Sequence, residues 1–102
     1  MRAEIAAHQA DIERVCRLLG VRKLALFGSA ATGTDRQGES DLDFLVDFQD
    51  LPPGGYADAY FGLIEALEAM FGRPVDLVVE SAIRNPYFRE AVEQTKIPLY
   101  AA

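Results

Sequence analysis

The spacing of apolar residues along the chain predicts three main helices. A first stripe at helical spacing ends at Gly20, a typical C-terminal stop, and a second follows the proline- and glycine-rich connection at 51–55. The two stripes contain Ile5, Ile12, Val15, Cys16 and Leu19, then Ala57, Tyr60, Phe61, Ile64, Leu67 and Phe71. A third helix is predicted at 87–95, because Pro86 is expected to interrupt the segment that begins at Ser81.

Short apolar or alternating segments predict four strands. They lie at 21–27, 41–48, 75–79 and 97–100, the last as an edge strand. Alternation in 41–48 gives that strand two unlike faces. One face carries Leu42, Phe44, Val46 and Phe48, and the other carries Asp41, Asp43, Leu45 and Asp47. A polar loop at 32–40, preceded by a short helix that starts at Ser29, is expected between the first two strands.

The order of these elements favours an α/β (α+β) fold, with a small mixed sheet and helices packed mainly on one face. The 102 residues suit a single domain over positions 1–102. No apolar stretch reaches the roughly 18 residues of a membrane span and no signal peptide is visible, so we expect a cytoplasmic protein. The single cysteine, Cys16, excludes an intrachain disulfide and is expected to be a small buried hydrophobe.

Net charge narrows the class of partner. Sixteen acidic against ten basic residues give a net charge of −6, which argues against non-specific binding to nucleic acid. The same charge is compatible with a basic protein partner, or with carboxylates that hold a cation. Four aromatic residues near the second and third helices, Tyr60, Phe61, Tyr87 and Phe88, lack the basic surroundings of a base-stacking platform and favour core or a protein interface.

The candidate chemistry lies in the sequence Asp41-Leu42-Asp43. In a strand, these two carboxylates share one face about 6–7 Å apart, and their mutual repulsion favours a divalent cation between them. Asp76 lies in the next predicted strand, so all three carboxylates converge if the two strands are neighbours. Oxygen ligands alone suit Mg²⁺ or Mn²⁺ and not zinc. The alternative is that an isolated Asp-x-Asp pair is ordinary solvated surface.

A second candidate feature is Gly28-Ser29, at the end of the buried strand 21–27. Glycine permits close approach of a ligand to the backbone, and a serine at the start of a helical turn offers its hydroxyl and amide groups to an anion. Taken alone, the pair is explained by the turn that ends the strand. Together with the acidic pair, it predicts phosphates and metal at one edge of the sheet.

The run LFGSAATGTDRQGESDLDFLV resembles the defining motif of the DNA polymerase β-like nucleotidyltransferases, in particular the minimal nucleotidyltransferases (MNT proteins). The likeness continues through FGRPVDLVVE and NPYFREAV. It implies a nucleotidyltransferase fold in which Gly28 and Ser29 contact the nucleotide triphosphate and Asp41 and Asp43 hold two Mg²⁺ ions. Asp76 would complete the metal site and activate the acceptor hydroxyl. The implied reaction transfers AMP from ATP and releases pyrophosphate.

The resemblance also implies a partner. MNT proteins resemble the antitoxin half of toxin–antitoxin modules whose toxin is a HEPN ribonuclease, silenced by adenylylation of a tyrosine hydroxyl. Because larger relatives hold the acceptor with an additional domain and this chain ends soon after Asp76, we expect the acceptor on another macromolecule. The base of the nucleotide, the number of AMP units and a homo-oligomeric state are left open.

Two other functions stay open. Relatives often carry arginines after the Gly-Ser pair, where this chain has Ala30 and Thr32 and only Arg36 as a substitute, in a loop one residue longer than usual. This departure favours a non-catalytic antitoxin that neutralises its partner by occlusion. A small-molecule nucleotidyltransferase of the aminoglycoside-modifying type shares the motif but usually has an acceptor domain.

Overall fold

The computed structural model describes residues 3–33 and 41–102, and its elements follow the predicted order. The helices in these ranges are α1 (Ala3–Ala7), α2 (Gln9–Leu19), α3 (Ser29–Thr32), α4 (Gly55–Phe71) and α5 (Pro86–Thr95). The strands are β1 (Val21–Phe27), β2 (Leu42–Phe48), β3 (Val75–Val79) and β4 (Ile97–Ala101). Most of the predicted polar loop, with Arg36, lies outside the described residues.

Two helix boundaries differ from the prediction. The first stripe forms two helices, because His8 leaves the helical region (φ −104°, ψ 11°) and separates α1 from α2. Pro86 begins α5 and does not interrupt it, as a residue without an amide hydrogen can at the first helical position. Asn85 caps this helix, since its side-chain oxygen accepts from the amides of Tyr87 (2.8 Å) and Phe88 (3.3 Å). A 3₁₀ turn, Glu80–Ala82, precedes it.

The four strands form one mixed sheet in the order β3-β2-β1-β4. β1 pairs antiparallel with both β2 and β4, whereas β2 and β3 are parallel and are joined by the crossover through α4. The end of β1 therefore lies beside the beginnings of β2 and β3. This single edge of the sheet carries the residues that the sequence analysis selected.

The two faces of the sheet are covered unequally, as predicted. One face packs on α1, α2 and α4 in the larger apolar cluster, which includes Ile5, Ile12, Cys16, Leu24, Leu26, Leu42, Phe44, Val46, Leu63 and Leu67. The opposite face bears a smaller cluster that includes Val92 of α5: Ala25, Phe27, Leu45, Ile83 and Val92. Because alternate residues of β2 contribute to the two clusters, the predicted alternation is confirmed, and Asp43 faces the less covered side.

The predicted stripe of α4 is confirmed in part, because four of its six residues are buried in the larger apolar cluster or packed against it. The buried side chains of this helix are Ala59, Leu63 and Leu67, whereas Ala57 and Phe61 are exposed. The helix is apolar around most of its surface, so spacing alone did not separate the exposed Ala57 and Phe61 from the residues that face the core. Among the described residues, no helix has both the length and the hydropathy of a membrane span.

Cys16 is fully buried in the larger cluster, as predicted. Burial raises the pKa of the Cys16 thiol to about 12. We expect a thiol reagent at pH 8 to label the native protein at least about 10²-fold more slowly than the unfolded protein, because the thiolate is the reactive form. Labelling of native protein at the unfolded rate would contradict this placement.

Candidate active site

Asp43 and Asp76 stand side by side in the two parallel strands. They are register partners in the pairing of β2 with β3, and such neighbouring strands run about 4.8 Å apart. Both side chains line the same cavity, of about 510 Å³. The two strands are neighbours, which is the condition under which the sequence predicted that these carboxylates converge.

Asp41 lies immediately before β2 and is exposed. Burial raises the pKa of the Asp43 carboxyl above its ordinary value, and the charge of Asp76 raises it further. The charge of Asp41 acts in the same direction, although Asp41 itself is exposed. The three aspartates therefore form one region of negative charge. None of the ion pairs found within residues 3–33 and 41–102 involves them.

The aspartates do not by themselves form a closed metal site. In the part of the chain that the structure describes, no group of three or more acidic, histidine or cysteine side chains is arranged to hold a metal ion. The predicted convergence of three carboxylates is thus met by Asp43 and Asp76, with Asp41 at the exposed start of the strand. Phosphate oxygens and water are ligands that could complete the coordination of a cation held by these carboxylates.

Gly28 lies directly against Asp43. Its backbone (φ 75°, ψ −154°) is in a region that only glycine enters readily, and a Cβ atom at this position would lie 2.6 Å from Asp43 Oδ2. Its amide donates to Thr95 Oγ1 (3.3 Å), while that hydroxyl donates to the Ala91 carbonyl (3.0 Å). Ser29 then begins α3. The Gly28-Ser29 turn is therefore beside the carboxylates, as predicted, and is anchored to α5.

The position of Asp76 is set by contacts that its two neighbours in the strand make with α4. The amide of Val75 donates to Glu68 Oε2 (2.9 Å), and the hydroxyl of Tyr60 donates to the Leu77 carbonyl (2.9 Å). Both partners belong to α4, so this helix holds the outer edge of β3 on either side of Asp76. Just before the strand, the buried Arg73 pairs with Glu4 of α1, with Nη1 3.0 Å from Oε1.

Comparison with known proteins agrees with this geometry. The model of the nucleotidyltransferase domain family matches residues 12–99. The chain belongs to the nucleotidyltransferase family. The predicted fold and enzyme class are confirmed.

Two relatives of this nucleotidyltransferase are named for one activity. Protein adenylyltransferase MntA of Thermococcus cleftensis is 35% identical over 81 residues, which cover 79% of this chain and 75% of that protein. A Methanocaldococcus jannaschii protein, provisionally named a protein adenylyltransferase, is 39% identical over 77 residues, which cover 76% of this chain and 75% of that protein.

Solved structures give the same fold. One described as a provisionally assigned minimal nucleotidyltransferase has a TM-score of 0.75 at 34% identity, covering 92% of this chain and 91% of that chain. A toxin–antitoxin crystal structure with AMP-PNP has a TM-score of 0.69 at 23% identity, covering 92% of this chain and 73% of that chain. A Shewanella oneidensis complex of a tri-AMPylated HEPN toxin with an MNT antitoxin has a TM-score of 0.64 at 19% identity, covering 96% of this chain and 73% of that chain. The predicted resemblance to minimal nucleotidyltransferases is confirmed.

Sequence reasoning missed several residues around the nucleotidyltransferase site. Thr95, whose hydroxyl accepts a hydrogen bond from the Gly28 amide, belongs to none of the motifs found in the sequence. Phe61 and Phe88, weighed as core or interface, are exposed and line the cavity that contains Asp43 and Asp76. Their position at the cavity follows only from the tertiary fold, which brings α4 and α5 to the same edge of the sheet.

The absence of an arginine at position 30 has a structural reason in this nucleotidyltransferase. Ala30 is 2% exposed and belongs to the larger apolar cluster. A charged side chain there would have to enter the core without a partner, which is costly. Position 30 of this chain is therefore suited to packing and not to contact with phosphate.

The charge on Asp43 gives a stability prediction for the metal-free nucleotidyltransferase. Because the folded-state pKa of Asp43 lies above the ordinary 3.8, folding favours the protonated form of this carboxyl. The contribution of that form to the stability of the protein is fully present below pH 3.8 and is lost as pH rises through the folded-state pKa. We expect Asp43→Asn to stabilise the protein at pH 7 by up to about 1 kcal/mol, the scale of partly exposed charge pairs. Denaturation in EDTA measures this gain, which should shrink as pH falls toward 3.8. A variant less stable than its parent at pH 7 would contradict it.

Proposed function

We propose that this nucleotidyltransferase is a Mg²⁺-dependent protein adenylyltransferase, which transfers AMP from ATP to a hydroxyl of a HEPN-type toxin and so acts as its antitoxin. The observation that carries the proposal is the register pairing of Asp43 with Asp76, beside a glycine whose backbone lies against the Asp43 carboxylate. Similarity to protein adenylyltransferase MntA supports a protein acceptor. Since ATP is the donor, the reaction is placed in the cytoplasm.

The donor set suits magnesium. Asp41 and Asp43, with Asp76, offer hard oxygen ligands only, and Mg²⁺ in proteins is commonly held by one or two carboxylates together with substrate phosphates. Substrate phosphates would thus complete the coordination that the described side chains leave open. When bound, Mg²⁺ (two ions are proposed) neutralises charge on the triphosphate and lowers the pKa of the attacking hydroxyl.

The chain's own residues then have distinct roles. Gly28 leaves room for phosphate close to Asp43, and Ser29 offers its hydroxyl and amide to the triphosphate. Asp76, at the exposed edge strand, accepts the proton of the acceptor hydroxyl and passes it to water. The acceptor oxygen forms a bond to the α-phosphorus as the bond to pyrophosphate breaks, so orientation and electrostatics provide most of the rate.

The partner is proposed on two grounds. The HEPN toxin in the Shewanella oneidensis complex carries AMP groups and is bound to an MNT antitoxin with the same fold as this chain. The net charge of −6 also favours association with a basic surface. The AMP-PNP in the other toxin–antitoxin structure is consistent with an adenine nucleotide as donor.

A second candidate function is neutralisation by occlusion alone. It is favoured by the uncharged Ala30 and Thr32, which leave the turn after Ser29 without a cation to steady the triphosphate. A binding module of this kind would mask its partner without modifying it.

Mass spectrometry of a mixture of this protein, ATP, Mg²⁺ and the product of the adjacent gene separates the two functions. The enzyme adds AMP mass to the partner, whereas the occluding module leaves its mass unchanged. Asp47→Asn is the matched control, because Asp47 lies on the same face of β2 as Asp43 but pairs with Arg22 at 3.4 Å. We expect full modification by this control and none by Asp43→Asn. A stable complex without modification would contradict the enzyme and favour occlusion.

A further inference from the structure

Most of the residues that line the cavity beside the aspartates are apolar or aromatic. Besides Asp43 and Asp76, the lining side chain that carries a polar atom is Tyr60, whose hydroxyl donates to the Leu77 carbonyl. The exposed ring of Phe61 lines the cavity from α4, and Phe88 lines it from α5, with its ring centroid 5.9 Å from that of Phe27. Such a surface binds poorly to phosphates and well to a flat apolar ring.

The position of the cavity relative to the two carboxylates indicates which substrate it takes. Gly28, the proposed phosphate side, lies next to Asp43 on the β1 side, whereas most of the cavity wall belongs to β3 and α4, on the Asp76 side. In-line transfer requires the attacking oxygen to approach opposite the leaving pyrophosphate. The cavity is therefore on the acceptor side of the site.

We propose that Phe61, together with Phe88, is a specificity-determining residue that holds the aromatic ring of a tyrosine acceptor, with its hydroxyl directed at Asp76. The inference rests on the proposed function and adds to it the residues that select the acceptor. An exposed Phe61 is otherwise unexplained, since it is 61% exposed on a helix whose buried face points elsewhere. A serine or threonine acceptor would leave both rings in water.

Steady-state kinetics with the HEPN partner and ATP test this role. Phe61→Ala is expected to raise the KM for the partner about 3- to 10-fold, the scale of one aromatic contact, and to leave the KM for ATP within about 2-fold. Phe61→Tyr, which keeps the ring, should restore the parent value. Leu18→Ala, which removes another exposed apolar side chain (80% exposed) from α2, is the matched control and should change neither constant.

Each other outcome overturns the proposal in an identifiable way. If Phe61→Ala raises the KM for ATP and not that for the partner, the cavity holds the adenine base. If neither KM changes while the parent remains active, Phe61 has no part in acceptor binding, and the proposed function stands without it. A parent protein that transfers no AMP would overturn both the proposed function and this inference.

Discussion

Asp76→Asn is expected to slow AMP transfer by about 10²- to 10⁴-fold, the usual effect of removing a positioned general base. The carboxylate stands beside Asp43 in the parallel pair and lines the cavity proposed for the acceptor, so its loss removes the group that accepts the hydroxyl proton in the proposed reaction. The amide has nearly the same shape and relieves repulsion with Asp43. The fold should therefore be retained, and the loss should appear in kcat and not in stability.

Initial rates of partner modification at saturating ATP measure this effect. Asp58→Asn on the exposed first turn of α4 serves as a control, because it also removes one negative charge but lies outside the cavity. A rate for Asp76→Asn within a few-fold of the parent, with the fold preserved, would show that Asp76 takes no direct part in the transfer.

The second large effect is expected for Gly28→Ala, which should reduce both stability and nucleotide binding. A non-glycine residue at φ 75° and ψ −154° carries a strain of about 1–3 kcal/mol, and the new methyl carbon would lie 2.6 Å from Asp43 Oδ2. The contact can be relieved only by moving the carboxylate or the turn. Either movement separates the two features that the proposed reaction needs together.

Gly72→Ala provides the matched control for backbone strain. Gly72 also has a positive φ (63°), but a Cβ atom there meets nothing within 4 Å. We expect this control to cost about 1 kcal/mol of folding free energy and to bind ATP as the parent does. Thermal unfolding and ATP titration of the two variants separate strain from the contact with Asp43. Equal ATP binding by both variants would contradict the placement of phosphate beside Gly28.

Much of the site could be predicted because its signals are local. Strand alternation set the faces of Asp43 and Leu45, and the abrupt end of β1 marked Gly28. The sequence alone did not show that β2 and β3 are neighbours in the sheet, although a 17-residue helix between two strands is typical of a parallel crossover. Since that crossover sets the register of Asp43 with Asp76, the central pair depended on topology.

The parts that could not be predicted depend on tertiary packing. Spacing in α4 did not distinguish its buried from its exposed aromatic side chains, because apolar residues surround most of the helix. The exposure of Phe61 follows from how α4 lies across the sheet. Likewise, the hydrogen bond from Gly28 to Thr95 joins residues 67 positions apart and has no counterpart in any motif. The one-domain boundary at 1–102 stays a prediction.

The most direct test of the shared magnesium and polyphosphate site is calorimetric titration of ATP into the parent and into the double variant Asp41→Asn/Asp43→Asn, with and without Mg²⁺. We predict that the parent binds ATP only when Mg²⁺ is present, and that the double variant, although folded, binds it in neither condition. Equal binding of ATP by the folded double variant and the parent would contradict the central claim.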